Sequence, residues 1–240
     1  MVDHDSGRLV WAAPGKERRT LEAFFDLLGE ERCQAIRLVS ADGAEYIANV
    51  VAERCPNATV CADPFHVVSW ATKALDEVRR EVWNQARRQG GDKTGAKALQ
   101  RCRYALWKNP ENLTERQRGK LAWVAKTNER LYRAYLLKEE LRLVFHLEGE
   151  EAKNLLRHWL AWASRCRIPA FVELAAKIRA HLASIHATLD HGLSNGLVES
   201  TNTKIRLLTR MAFGFGSPEA LIALALLDRG GYCPPLPGRR

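Results

Sequence analysis

The sequence predicts a helix-rich α/β (α+β) fold in which a small α/β core is interrupted by a long all-helical insertion. Three observations carry that prediction. A strand–helix–strand pattern occupies residues 36–62, and a nearly unbroken helical stretch runs from Phe65 to about His191. A further helix then opens at Ser194-Asn195-Gly196 and is followed by a last apolar one. With 240 residues, 46% of them hydrophobic and 27% charged, the chain has the composition of a folded protein with a substantial core.

The opening Val2-Asp3-His4-Asp5-Ser6-Gly7-Arg8-Leu9-Val10-Trp11 reads as the end of one strand, a tight turn and a second strand, with Asp5, Ser6 and Gly7 as turn residues. The first strand has almost no length, which predicts that sequence is missing ahead of it. Asp3 and Asp5 suit the turn, with a ligand role as the other reading. Pro14-Gly15 closes the hairpin. Thr20 is placed to cap an amphipathic helix carrying Leu21, Phe24, Phe25 and Leu28, which stops at Gly29.

Ile36 to Ala41 is an apolar run that ends in Asp42-Gly43. A helix follows from Ala44 to about Arg54, with Tyr46, Ile47, Val50 and Val51 inward, and Pro56-Asn57 breaks it. The second run, Ala58 to Ala62, ends in Asp63-Pro64-Phe65-His66. Two strands joined by one helix should be parallel with a right-handed crossover, so both end at the same sheet edge. Asp42 and Asp63 each follow a strand end, where open α/β sheets place ligand-binding groups, and two carboxylates there suit a divalent cation. Both positions equally suit helix capping, Asp63 with Pro64 at the first helical position, and one residue can do both.

The insertion is expected as a helix from Phe65 to about Gln89 ended by Gly90-Gly91, a second from Ala96 to Trp107 stopped near Pro110, and a long third to about Leu147. Thr114 with Gln117 forms the capping box that opens the third. Further helices are expected over Glu150 to Cys166 and Pro169 to Leu189. The first two carry Arg79, Arg80, Arg87, Arg88, Lys93, Lys97, Arg101, Arg103 and Lys108, with Trp83, Tyr104 and Trp107 among them. Basic residues mixed with aromatic ones suit contact with a phosphate backbone and base stacking, although such rings also fill cores. The formal net charge of +9 favours a polyanionic partner, most simply nucleic acid.

In the late helix, which Ser194 or Asn195 can cap, Val198, Thr201, Ile205, Leu208 and Ala212 form a mostly apolar stripe. Glu199, Asn202, Thr203, Arg206 and Arg210 share another face at i, i+3, i+4, i+7 and i+11. One carboxylate, two neutral hydrogen-bonding groups and two guanidinium groups suit phosphate handling. An exposed face with ordinary charge pairing has the same spacing. Glu199 lies in the first turn, where the helix dipole favours the ionised carboxylate that binds metal. Gly214-Phe215-Gly216 ends the element. Ser217-Pro218-Glu219 opens the last helix, Ala220 to Leu227, whose apolar residues nearly all round predict burial. The expected domains are a split core over 1–66 and 191–230, a helical insertion over 67–190, and a tail over 231–240.

The six cysteines are scattered with no C-x-x-C pair, which suits a reduced cytosolic chain with mostly buried thiols. No apolar run has the length of a membrane span, and the residues after Met1 lack the pattern of a signal peptide.

A small α/β core, a long helical insertion and a late helix returning a glutamate toward two strand-end aspartates resembles the RNase-H-like Asp-Asp-Glu (DDE) transposases. More closely, the chain is similar to the ISL-three family of bacterial insertion-sequence transposases. The likeness rests on Val2 to Trp11, Val39-Ser40-Ala41-Asp42-Gly43-Ala44, Pro56-Asn57-Ala58 with Ala62-Asp63-Pro64-Phe65-His66-Val67-Val68, and Ser194 to Glu199 through Phe213-Gly214-Phe215. The resemblance implies two-metal phosphoryl transfer on DNA, with Mg²⁺ (or Mn²⁺) as cofactor and transposon ends and target DNA as partners. It also implies a cytoplasmic, nucleoid-associated protein. A homo-oligomer stays open.

By position Asp42 matches the family's second acid and Glu199 the third, and Asp63 with His66 matches an Asp-x-Phe-His block of supporting or alternative ligands. Asn202 and Arg206 stand beside them in a supporting role, and Arg79, Arg80, Arg87, Arg88, Lys97, Arg101 and Arg103 of the basic helices, with Arg210, would contact DNA. The family's first acid lies on a strand before the opening hairpin, so this chain is expected to be an N-terminally truncated portion with impaired activity in isolation. The alternatives are a non-catalytic nucleic-acid-binding remnant that uses only the basic helices, and an RNase-H-like nuclease acting on a branched substrate.

Overall fold

The computed structural model describes residues 1–88 and 93–231, which form two compact units. One comprises Met1–Cys61 with the chain from Leu193 onward, the other Ala62–Gly192.

The first unit opens on an antiparallel bridge between Val2 and Leu9. Asp3 builds the turn: its carboxylate accepts from the backbone N–H groups of Asp5 (3.3 Å) and Ser6 (3.1 Å) and from the Ser6 hydroxyl. Gly7 supplies the positive φ, 67°, that closes it. Helix α1 (Arg18–Leu28) and the short α2 (Glu30–Ala35) meet at Gly29. Because α1 begins at Arg18, Thr20 lies inside its first turn and does not cap it. The sequence pattern misses α2, whose six residues bury only Cys33 and so show no apolar periodicity.

Strand β1 (Leu38–Ala41), helix α3 (Glu45–Arg54) and strand β2 (Thr59–Ala62) form the expected strand–helix–strand unit. The Thr59 N–H donates to the Arg37 carbonyl at 2.8 Å, so the paired strands begin side by side and run parallel. Phe24, Phe25, Cys33, Val50, Val51 and Cys55 make this unit's core, with Trp11, Val39 and Val60 against it.

The second unit is helical. It contains α4 (Pro64–Arg88), α5 (Lys93–Arg101), α6 (Arg103–Trp107), a 3-10 turn (Pro110–Asn112), α7 (Glu115–Thr127), α8 (Glu129–Val144), α9 (Gly149–Arg165), α10 (Pro169–Ala180) and α11 (Leu182–His191). The 25-residue α4 buries Val67, Trp70, Ala71, Ala74, Leu75, Val78 and Val82 along one stripe. Thr114 and Gln117 form the capping box at the start of α7, each side chain bonded to the other's backbone N–H.

Three helices read as continuous are each two, because the apolar pattern runs on through the breaks. The breaks fall at Cys102, at Asn128, whose Oδ1 accepts from the Leu131 N–H at 2.8 Å to cap α8, and at His181. The expected stop at Gly90-Gly91 lies outside the described residues. Trp159 is fully buried, and its Nε1–H donates to the Leu137 carbonyl at 2.7 Å. Lys138 is buried too, with its ammonium paired to Glu139 and 5.0 Å from the centre of the Tyr135 ring.

The chain returns to the first unit through α12 (Gly196–Met211) and α13 (Pro218–Arg229). Ser217 caps α13, accepting from the Ala220 N–H at 3.2 Å. The Leu9 N–H donates to the Arg229 carbonyl at 3.0 Å, which ties the opening hairpin to the end of α13. The expected burial of this last helix is not found. Among the described residues of its unit α13 packs on α12, and of its residues only Ala225 is buried, while Leu227 stays 55% exposed. Among the described residues no helix is long and apolar enough to cross a membrane.

Candidate functional site

The first unit joins the end of β1 to the start of α12. The Ser40 hydroxyl donates to Asn195 Oδ1 at 2.7 Å, across 155 residues of sequence. Asn195 is the N-cap residue of α12, yet its side chain makes no capping bond. It cross-links the two elements instead. Asp42 follows two residues after Ser40 and is exposed; its Oδ1 accepts a long bond from the Ala44 N–H at 3.4 Å, over Gly43 at φ 81°. Glu199 follows one turn after Asn195, and its N–H makes the bond to the Asn195 carbonyl, 2.9 Å, that starts the helix.

The two faces of α12 fall as its spacing dictates. Thr201 is buried and Val198, Ile205 and Leu208 are partly so, whereas Glu199, Asn202, Thr203, Arg206 and Arg210 are exposed. Among the described residues none of Glu199, Arg206 and Arg210 belongs to an ion pair. Ordinary charge pairing therefore does not account for this face.

Asp63 belongs to the second unit and is 5% exposed. Its Oδ2 accepts from the His66 N–H at 3.2 Å, which caps α4 with Pro64 as the first helical residue. The His66 ring lies edge-on to Trp70, with centroids 5.6 Å apart. Burial pushes the Cys61 thiol above its usual range. Among the described residues no group of three or more His, Cys, Asp or Glu side chains is placed to hold a metal ion.

The basic helices divide. Arg79 is buried and bonds Asp76 through Nε at 2.8 Å, so its guanidinium serves the interior of the unit and is not offered to DNA. Arg80, Arg87, Arg88, Lys97, Arg101 and Arg103 are exposed. The Arg87 guanidinium lies 4.9 Å from the Trp83 ring centre and that of Arg103 3.9 Å from the Trp107 ring centre. Trp83 and Trp107 also pack against the core, which gives them both readings at once. The sequence did not reveal a cleft of about 750 Å³ beside these residues, formed by α4, α6 and α8. Its one legible sign is the stripe Phe65, Thr72, Asp76 and Arg80 on α4, off the helix's buried face.

The sequence matches the DDE transposase family model of the ISL3 type, described as "Transposase", over residues 1–225. The chain belongs to the ISL3 transposase family. It is 62% identical over its whole length to the transposase for insertion sequence element IS1557 of Mycobacterium tuberculosis, in strains CDC 1551 / Oshkosh and H37Rv. It is 29% identical, over 91% of the chain, to the transposase for insertion sequence element IS1001 of Bordetella parapertussis. This ISL3-family chain spans 58% and 54% of the length of those relatives. No solved structure matches it.

Proposed function

We propose that this chain is the catalytic portion of a DDE-type insertion-sequence transposase. It would cleave DNA and join strands with Mg²⁺ or Mn²⁺ on an RNase-H-like core, with Asp42 and Glu199 as two of its acids. The observation that carries the reading is the Ser40–Asn195 tie, which fastens the segment leading to Asp42 to the segment leading to Glu199. Family membership and the exposed polar face of α12, whose Glu199, Arg206 and Arg210 form no ion pair among the described residues, support it.

The donor set fits the cation. Both carboxylates are exposed hard oxygen ligands, and Mg²⁺ is commonly held by one or two carboxylates together with substrate phosphates and water. When bound, the cation would polarise the phosphate and make the attacking water or DNA 3′-hydroxyl more acidic. The chain's own residues supply the rest. Glu199 presents its carboxylate from the first turn of α12. Arg206 and Arg210, two and three turns on along the same face, hold backbone phosphate, and Asn202 offers neutral hydrogen bonds between them. Asp63, the cap of α4, is the further candidate acid, with His66 supporting it.

Mn²⁺ binding followed by electron paramagnetic resonance, with and without insertion-end DNA, tests the reading. Asp42→Asn and Glu199→Gln should each weaken Mn²⁺ binding more than about 100-fold, beyond the loss of an outer-sphere partner. Unchanged binding in both variants, with DNA still bound, would instead favour a non-catalytic nucleic-acid-binding piece that works through its basic helices.

A further inference from the structure

We propose that the cleft between α4, α6 and α8 is a binding site for single-stranded DNA, seating an unpaired nucleotide. The inference rests on the transposase reading and deepens it, because it assigns a form of DNA to a cleft of the second unit. The cleft's volume, about 750 Å³, lies within the usual range for small-ligand sites, so it accepts a base but not a duplex.

Its chemistry is that of an aromatic platform set among cations. Phe65, 67% exposed on the first turn of α4, presents a ring to the opening, and Phe145 stands at the end of α8. On α6 the Arg103 guanidinium lies over the Trp107 ring at 3.9 Å, and Tyr104 meets Trp107 edge-on. The outer face of that stacked guanidinium is itself a platform on which a base can lie. Phe65 and Tyr104 are exposed, and Trp107 and Phe145 pack against the core with part of each ring still open, which suits a flat, apolar, unstacked base.

The charges agree. Among the described residues neither Lys73 nor Arg103 pairs with a carboxylate, so two cations of the lining are uncompensated. The one carboxylate in the lining, Asp76, is occupied by Arg79 at 2.8 Å and Arg80 at 3.4 Å. A ligand that brings a π-face for the rings and a phosphate for the free cations is a nucleotide. One that threads a cleft between helices is a single strand, since paired bases hide their faces in the stack.

Fluorescence anisotropy with end-labelled oligo-dT, oligo-rU and a DNA duplex of the same length, in EDTA, tests the assignment. Phe65→Ala and Arg103→Ala should each weaken oligo-dT binding about ten-fold while changing duplex binding by less than about two-fold. Lys126→Ala, an exposed cation outside the lining, sets the cost of losing one charge and should affect both substrates alike. Phe65 is surface-exposed, so Phe65→Ala should keep the wild-type melting temperature, and Trp107→Phe should retain most of the oligo-dT affinity. Equal losses on single strand and duplex, no loss at all, or a loss confined to oligo-rU would overturn the proposal. Because EDTA removes the cation, failure here leaves the assignment of Asp42 and Glu199 standing, and failure of that assignment leaves the cleft standing.

Discussion

The hydroxyl of Ser40 donates to Oδ1 of Asn195 at 2.7 Å, and this bond sets the end of a strand against the cap of a helix 155 residues later. Each partner lies a few residues before an exposed acid, Asp42 on one side and Glu199 on the other. The cap residue gives its side chain to the strand instead of to its own helix, so the bond serves the joining of two segments more than the start of α12.

Removing the bond should cost little stability. Ser40→Ala is expected to lower stability by about 1 kcal/mol, the net worth of one part-buried hydrogen bond. For a protein of this size that is a fall of roughly 2–4 °C in Tm, read by thermal denaturation. A much larger drop would mean that Ser40 supports packing beyond this contact.

Asp63 can be separated into its two roles. Asp63→Ala should cost about 1 kcal/mol through loss of the cap on α4, whereas Asp63→Asn, an equally good cap, should melt near wild type. DNA cleavage by Asp63→Asn then reads any chemical role apart from the structural one.

Lys138 is buried with its ammonium on Glu139, and burial lowers its pKa despite that pair. Lys138→Ala should destabilise the second unit by about 3 kcal/mol, because it empties the space of a fully buried side chain. Lys138→Met, close in shape and neutral, should cost less, because it fills that space and Arg142 still bonds Glu139 at 2.9 Å. The sign of the pH effect follows from the lowered pKa. Just below the usual lysine range the unfolded chain holds more protons at this residue, so its share of stability rises with pH, and Lys138→Met should remove that rise from the alkaline limb of a denaturation profile.

The cysteines shift the other way. Burial raises the Cys55 and Cys102 thiols from about 9 to about 11. The folded state therefore keeps protons that the unfolded chain loses, and the stability these thiols contribute is present below pH 9 and lost between 9 and 11. Because Cys33, Cys55, Cys61, Cys102 and Cys166 are all buried, a Cys233→Ser variant should show no fast-reacting thiol toward a disulfide reagent at pH 8 until denaturant is added. One rapid equivalent would show that one of the five is accessible.

What could be read from the sequence was what local chemistry decides. The strand–helix–strand unit, the Thr114–Gln117 capping box, the Ser217 cap and the two faces of α12 are each set by residues within a few positions of one another. The breaks at Cys102, Asn128 and His181 were hidden, because apolar spacing continues through them and tertiary packing decides where the axis turns. Burial of α13 was overestimated for a related reason: an all-round apolar helix is buried only where its neighbours cover it, and here Leu227 is left open. The spacing of Arg79 puts it with the basic residues, and only its packing with Asp76 takes it into the interior. The cleft was invisible because Phe65, Arg103 and Phe145 meet only after three helices have packed.

The direct test of the central claim is Mg²⁺-dependent strand cleavage and transfer on insertion-end DNA by the wild-type chain, Asp42→Asn and Glu199→Gln. Both side chains are exposed, so both variants should keep the wild-type melting temperature and bind DNA as before, while the rate falls by more than about 100-fold. A Glu199→Gln protein that transfers strands at the wild-type rate would contradict the assignment of that carboxylate to the chemistry.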